Sequence, residues 1–96
     1  MLTSKGKKYL RKQSHDIQPI FQVGKAGVND NMTTQISEAL EKRELIKVSI
    51  LQNNFDDNQA VADEIASQTG AQIVQVIGNT VILYKESVNN KQINLP

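Results

Sequence analysis

The run Leu45–Leu51, LIKVSIL, carries apolar side chains at both odd and even positions. A strand made from it has two faces to bury and belongs in the middle of a sheet. Its neighbours must come from the rest of the chain. Upstream, Ile20–Val23 follows Pro19 and reads as a first strand. Between the two, a helix over residues 31–43 brings Met32, Ile36, Ala39 and Leu40 to one face, with Asn29 or Asp30 as its cap. Glu38 and Lys42 are spaced as an i,i+4 pair on its wet side. Downstream, Asn53, Asn54, Asp56 and Asp57 form a turn and cap. A helix over 58–69 then turns Val61, Ala62, Ile65 and Thr69 inward, and Gly70 supplies the left-handed residue that ends it. The stretch AQIVQVIGNTVILYKE reads as a hairpin of strands 72–77 and 80–85 about Gly78-Asn79. Glycine in first place suits a type II′ turn.

Strands separated by helices run parallel through right-handed crossovers. The hairpin adds one antiparallel strand. With a first helix over 3–16, the order is α-β-α-β-α-β-β. The expected fold is a two-layer α/β domain with a mixed four-stranded sheet. Ninety-six residues make one such domain, read as residues 1–96. The tail from about residue 87, SVNNKQINLP, reads as polar and loosely held, with Ile93 and Leu95 its only anchors.

Several function classes drop out. The chain has no cysteine, so it has no disulfide and no thiolate metal site. One histidine gives no catalytic triad and no metal set. The carboxylate pairs Asp56-Asp57 and Asp63-Glu64 sit at a helix start and on its polar face, where capping and solubility account for them. A non-enzyme is expected, with no cofactor, no metal and no small-molecule substrate. The longest apolar run is interrupted at Gln75, Gly78, Asn79 and Thr80, and no apolar segment follows the basic start. Neither a membrane span nor a leader is expected, and a cytoplasmic location is.

A net charge of +1 hides an asymmetry. Residues 1–25 hold Lys5, Lys7, Lys8, Arg11, Lys12 and Lys25 against Asp16 alone, a local +5. Residues 26–55 sum to −1 and residues 56–96 to −3. Such a distribution marks a polyanion-facing end. At about 100° per residue, Leu2, Tyr9, Leu10 and Ile17 fall on one face of the first helix. Lys5, Lys7, Lys8, Arg11, Lys12 and His15 fall in the opposite arc. Thr3 is the N-cap, and Gly6 costs roughly 1 kcal/mol relative to Ala, so the first turn is expected to fray.

The motif IFQVGKAGVNDNM joins the first strand to the second helix through Gly24, Lys25, Ala26 and Gly27. It is not a nucleotide-binding P-loop, which needs a longer cradle and a Gly-Lys-Ser/Thr ending. A Gly-x-x-Gly loop can instead clamp a nucleic-acid backbone, as in KH-type RNA binding. Glycine lets main chain approach closely, loop amides point at one anion, and the next helix adds its positive end. A plain strand-to-helix corner, with positive φ at Gly24 or Gly27, fits the same residues. So do an adaptor whose basic helix meets an acidic protein and a DNA-binding domain of this topology. Phe21 and Tyr9 are expected in the core. Phe55, in a polar turn, is the candidate for an exposed stacking ring. So few aromatics argue against a stacking sheet.

Four blocks, SKGKKYLRKQSH, PIFQVGKAGVNDNM, EALEKRELIKVSIL and VQVIGNTVILYKES, together resemble the bacterial YhbY proteins. These are stand-alone members of the CRM (chloroplast RNA splicing and ribosome maturation) group. The resemblance covers essentially the whole chain. It implies a fold like the C-terminal domain of translation initiation factor three. It also implies RNA binding and association with precursors of the large ribosomal subunit. The family's glycine loop maps onto Gly24–Gly27, and its basic helix onto Lys5, Lys8, Arg11 and Lys12. Where the family often has Tyr-Arg, this chain has Tyr84-Lys85, which keeps the charge without a bidentate fork.

Overall fold

The computed structural model describes residues 2–51 and 57–96. Helix α1 (Ser4–Gln13) runs into a 3₁₀ turn, Ser14–Asp16. Then follow β1 (Pro19–Val23), α2 (Asp30–Arg43), β2 (Leu45–Ile50), α3 (Asn58–Thr69), β3 (Gln72–Ile77) and β4 (Thr80–Tyr84). This is the expected order. Of the predicted turn before α3, Asn53, Asn54 and Asp56 lie outside the described residues. Asp57 is the cap, its carboxylate accepting the Ala60 N–H at 3.3 Å.

The sheet runs β1-β2-β4-β3. Strands β1 and β2 are parallel, and β4 enters between β2 and β3, antiparallel to both. The doubly apolar strand β2 is therefore interior. The hairpin turn has Gly78 at φ 54° while Asn79 stays out of the positive-φ region, as a type II′ turn requires.

The layering differs from the two layers expected. Ile46, Val48, Ile50, Val81 and Leu83 form one core with Ile36 and Leu40 of α2 and Val61, Ala62 and Ile65 of α3. Leu45, Val74, Ile82 and Tyr84 form a second core with Leu2 and Leu10. Neighbouring residues of β2 and β4 alternate between the two cores, so the cores lie on opposite faces of the sheet. Central strands apolar on both faces need a cover on each. Helix α1 is the second cover.

It docks through Leu2, Gly6, Leu10 and Ser14, a buried stripe at i,i+4 spacing. Tyr9 and Ile17 pack half-buried beside it. Gly6 does not loosen the first turn as expected. Its N–H donates to the Thr3 hydroxyl at 3.0 Å, and the Leu2 N–H donates to Gln72 Oε1 at 2.6 Å. A Cβ on Gly6 would lie 3.3 Å from Thr3 Oγ1, so glycine keeps the cap and the docked face close.

The tail is also tied, against expectation. Glu44 alone links α2 to β2, at φ 64° and fully buried. Its carboxylate accepts the backbone N–H groups of Ser87 (2.7 Å), Gln92 (2.6 Å) and Ile93 (2.8 Å). Burial pushes this carboxyl up, but the three N–H donors outweigh it and hold it below its ordinary value. Glu41 accepts Val88 N–H and Asn89 N–H, each at 2.9 Å, and the Ser87 hydroxyl at 2.7 Å. The Val88 N–H, then the Ser87 hydroxyl and the Asn89 N–H, lower its pKa to about 2. The expected Glu38–Lys42 pair does not form; among the described residues the ion pair present is Lys91–Glu86, at 2.9 Å on the surface. Glu38 faces water, where holding two long side chains together gains little.

Candidate functional site

Strand β1 hands its last carbonyl, Val23 O, to the Leu51 N–H at 2.9 Å. The chain then turns at once. Gly27 N–H donates to Gly24 O at 3.0 Å, closing a four-residue turn with Lys25 and Ala26 exposed at its crest. Neither crest residue has a positive φ, whereas Gly27 has φ 75°. Of the two positions expected for the left-handed residue, Gly27 takes it. A Cβ there would meet nothing within 4 Å among the described residues. The glycine answers a backbone need, since no close approach of a described side chain requires it.

Helix α2 starts three residues later. Asn29 Oδ1 accepts the Met32 N–H at 2.9 Å, and Asp30 stands in the first turn. The positive end of α2 is thus already met by an amide oxygen and a carboxylate. Attraction of an anion rests with Lys25 and with the crest amides of Lys25 and Ala26.

On α1, Lys5, Lys7, Lys8, Arg11 and Lys12 are exposed, as is His15 in the following turn. Among the described residues none of them, nor Lys25, meets a carboxylate within 4.0 Å. Arg11 and His15 line a cavity of about 200 Å³ on the α1 side of the sheet, together with Ser14, Lys47, Gln75 and Thr80. Among the described residues no carboxylate lines it. Lys47 comes from the middle of β2, paired across to Ile82 of β4. Sequence reading missed it. The available signal was a lone cation inside LIKVSIL, where a charge is tolerated only if its face stays wet.

The glycine turn and the basic helix do not share one edge of the domain. Helix α1 packs on β3, at one edge of the sheet, while the glycine turn leaves β1 at the other. Only the end of α1, with Arg11 and His15, reaches across to Lys47 on the strand beside β1. Lys47 stands four residues before Leu51, so roughly 13 Å of strand separates it from the turn. Lys5, Lys7, Lys8 and Lys12 remain on the solvent side of α1.

A second, larger cavity of about 510 Å³ lies between β1 and the first turns of α2, lined among others by Gln22, Asn29, Asn31 and Gln35. Lys85 is engaged within the fold: its ammonium donates to Thr69 O at 2.8 Å, at the end of α3. Phe21 and Tyr9 pack on the two cores as expected. Phe55 lies outside the described residues.

The fold is thus an α/β domain with helices on both sheet faces, a glycine turn at one edge and, on the α1 side, a set of cations with no carboxylate partner among the described residues. Residues 2–85 match the CRS1 / YhbY (CRM) domain model. The chain belongs to that family, as its sequence blocks implied. It is 60% identical over 96 residues to "Probable RNA-binding protein YqeI" of Bacillus subtilis (strain 168), covering all of both chains. It is 33% identical over 95 residues to an "RNA-binding protein" of Haemophilus influenzae, covering 99% of this chain and 95% of that one. The solution structure of the hypothetical protein SAV1595 from Staphylococcus aureus superposes with a TM-score of 0.83 at 54% identity, covering all of both chains.

Proposed function

We propose that this protein binds RNA by its sugar-phosphate chain, and that it acts on precursors of the large ribosomal subunit in the cytoplasm. The turn Gly24–Gly27, with Lys25, grips one stretch of backbone. Arg11, His15 and Lys47 receive another, and Lys5, Lys7, Lys8 and Lys12 add longer-range attraction. One observation carries the reading. Arg11, His15 and Lys47 come from separate elements to one cavity that, among the described residues, has no carboxylate in its lining. The like charges of Arg11 and Lys47, brought to one cavity, raise the free energy of the fold unless an external anion answers them. The names of the relatives support RNA as that anion, and the family resemblance supports the ribosomal setting.

The test is RNA affinity against salt. Neutralising about six phosphates of a single strand gives a log–log slope of roughly −4. Affinity then falls a few hundred-fold between about 50 and 200 mM salt. A double variant, Gly24→Asp with Gly27→Asp, places two carboxylates at the crest and is expected to lose measurable binding. Wild-type co-sedimentation of that variant with pre-ribosomal particles would reduce the turn to a structural corner. Equal competition by DNA of the same length would reassign the partner.

A further inference from the structure

We infer that the groove between β1 and the start of α2 reads the edges of unpaired RNA bases, adenine foremost, through Asn31 and Gln35. The inference rests on the RNA-binding reading above and adds specificity to it. The groove encloses about 510 Å³, the size of a small-ligand site rather than of an ion site. Among the described residues no charged side chain lines it, so it does not resemble a phosphate seat.

What lines it instead is carboxamide. Asn31 and Gln35 stand one turn apart on α2 and project along one helix face. Gln22 contributes to the rim of the groove from β1, between Phe21 and Val23, which pack on the core beneath α2. Asn31 and Gln35 are both exposed, and among the described residues their side chains make no hydrogen bond. Asn29, by contrast, is committed to its cap. A carboxamide presents a donor and an acceptor side by side, which is the pattern adenine displays at N6 and N7. Strand β1 is the sheet edge, so its outward peptide groups are also open to a ligand. Ile20, Phe21 and Met32 add apolar surface for the flat faces of a base.

Position completes the argument. Gln22 precedes Gly24 by two residues, and Asn29 follows Gly27 by two. The neutral groove is therefore flanked by the two chain segments that lead into and out of the cationic turn. A strand of RNA whose phosphates rest on that turn has the groove beside it for its bases. Charge and neutrality divide the ligand between them: backbone to the turn, bases to the amides.

The experiment compares ten-nucleotide oligo(A) and oligo(C) on the full chain, at several salt concentrations. The wild type is expected to bind oligo(A) about tenfold tighter, the discrimination of one good bidentate contact. Asn31→Ala with Gln35→Ala, both exposed helix positions where Ala is well tolerated, should bring oligo(A) down to the oligo(C) value. Oligo(C) affinity, the salt slope and the melting temperature should stay put. Lys25→Ala should weaken both oligomers alike. Equal wild-type affinities, or an adenine preference that survives the double substitution, would overturn the inference and leave the backbone reading standing. A wild type that binds neither oligomer would overturn both.

Discussion

Glu41 and Glu44, near the end of α2, each accept at least three hydrogen bonds from the tail. Lys5, Lys7, Lys8, Arg11 and Lys12, on α1, meet no carboxylate among the described residues. The two regions carry opposite charge and opposite amounts of internal company. The carboxylates are consumed by the fold: they anchor Ser87–Ile93, and Glu44 holds a left-handed backbone that a non-glycine residue rarely adopts. The cations are left over. Charge that the fold satisfies works for stability, and charge that it leaves unsatisfied is available to a partner. Substitution can separate these roles.

The largest effect is expected at Glu44. Glu44→Ala leaves the N–H groups of Ser87, Gln92 and Ile93 without their acceptor and opens a hole in the interior. A loss of about 3 kcal/mol is expected in denaturant unfolding, from unpaired buried donors. RNA affinity of the folded fraction should not change. A variant as stable as the wild type would break the comparison from the carboxyl side.

Lys25→Ala and Lys47→Gln test the amino side. Together they should weaken RNA binding about tenfold and flatten the salt slope by roughly 1 to 1.5. Unfolding free energy should move by less than about 0.5 kcal/mol, as for surface sites without partners. A large loss of stability would mean that Lys47 serves the fold.

The acid limb sharpens the contrast. Glu41 is depressed to about 2, and Glu44 lies below its ordinary value. A carboxylate depressed in the folded state stabilises it above the unfolded pKa, near 4.5 here, and that contribution disappears as pH falls toward 2. The amide resonances of Val88 and Asn89 should therefore shift and lose exchange protection between pH 4.5 and 2. Tail amides unchanged across that window would show that the carboxylates are not its anchor. The smallest effect is expected at Lys5→Ala or Lys8→Ala. Either should leave stability within about 0.5 kcal/mol and cost one phosphate contact at most.

Much of the fold was legible because its signals are local. Val61, Ala62, Ile65 and Thr69 lie inward on α3 as their spacing predicts, and Gly70 ends that helix at φ 77°. Gly78-Asn79 makes the expected turn, and β2 is interior. The glycine turn was legible as a motif, with only the choice of Gly27 left to geometry. What escaped were relations between distant residues. Nothing near Glu41 and Glu44 announces that residues 87–93 will fold back to meet them. Nothing near Lys47 announces Arg11 and His15.

The sequence by itself determined the order of elements, the inward face of each helix and the concentration of positive charge in the first 25 residues. Periodicity, caps and turn residues act over a few positions, so they can be read in one dimension. Tertiary structure decided which sheet face α1 covers, that its basic side and the glycine turn lie at opposite edges, and which charges are spent within the fold. Those outcomes depend on how β4 threads between β2 and β3 and on where the tail returns. Packing sets them, by bringing together residues far apart in sequence, such as Arg11 with Lys47 and Glu44 with Ile93.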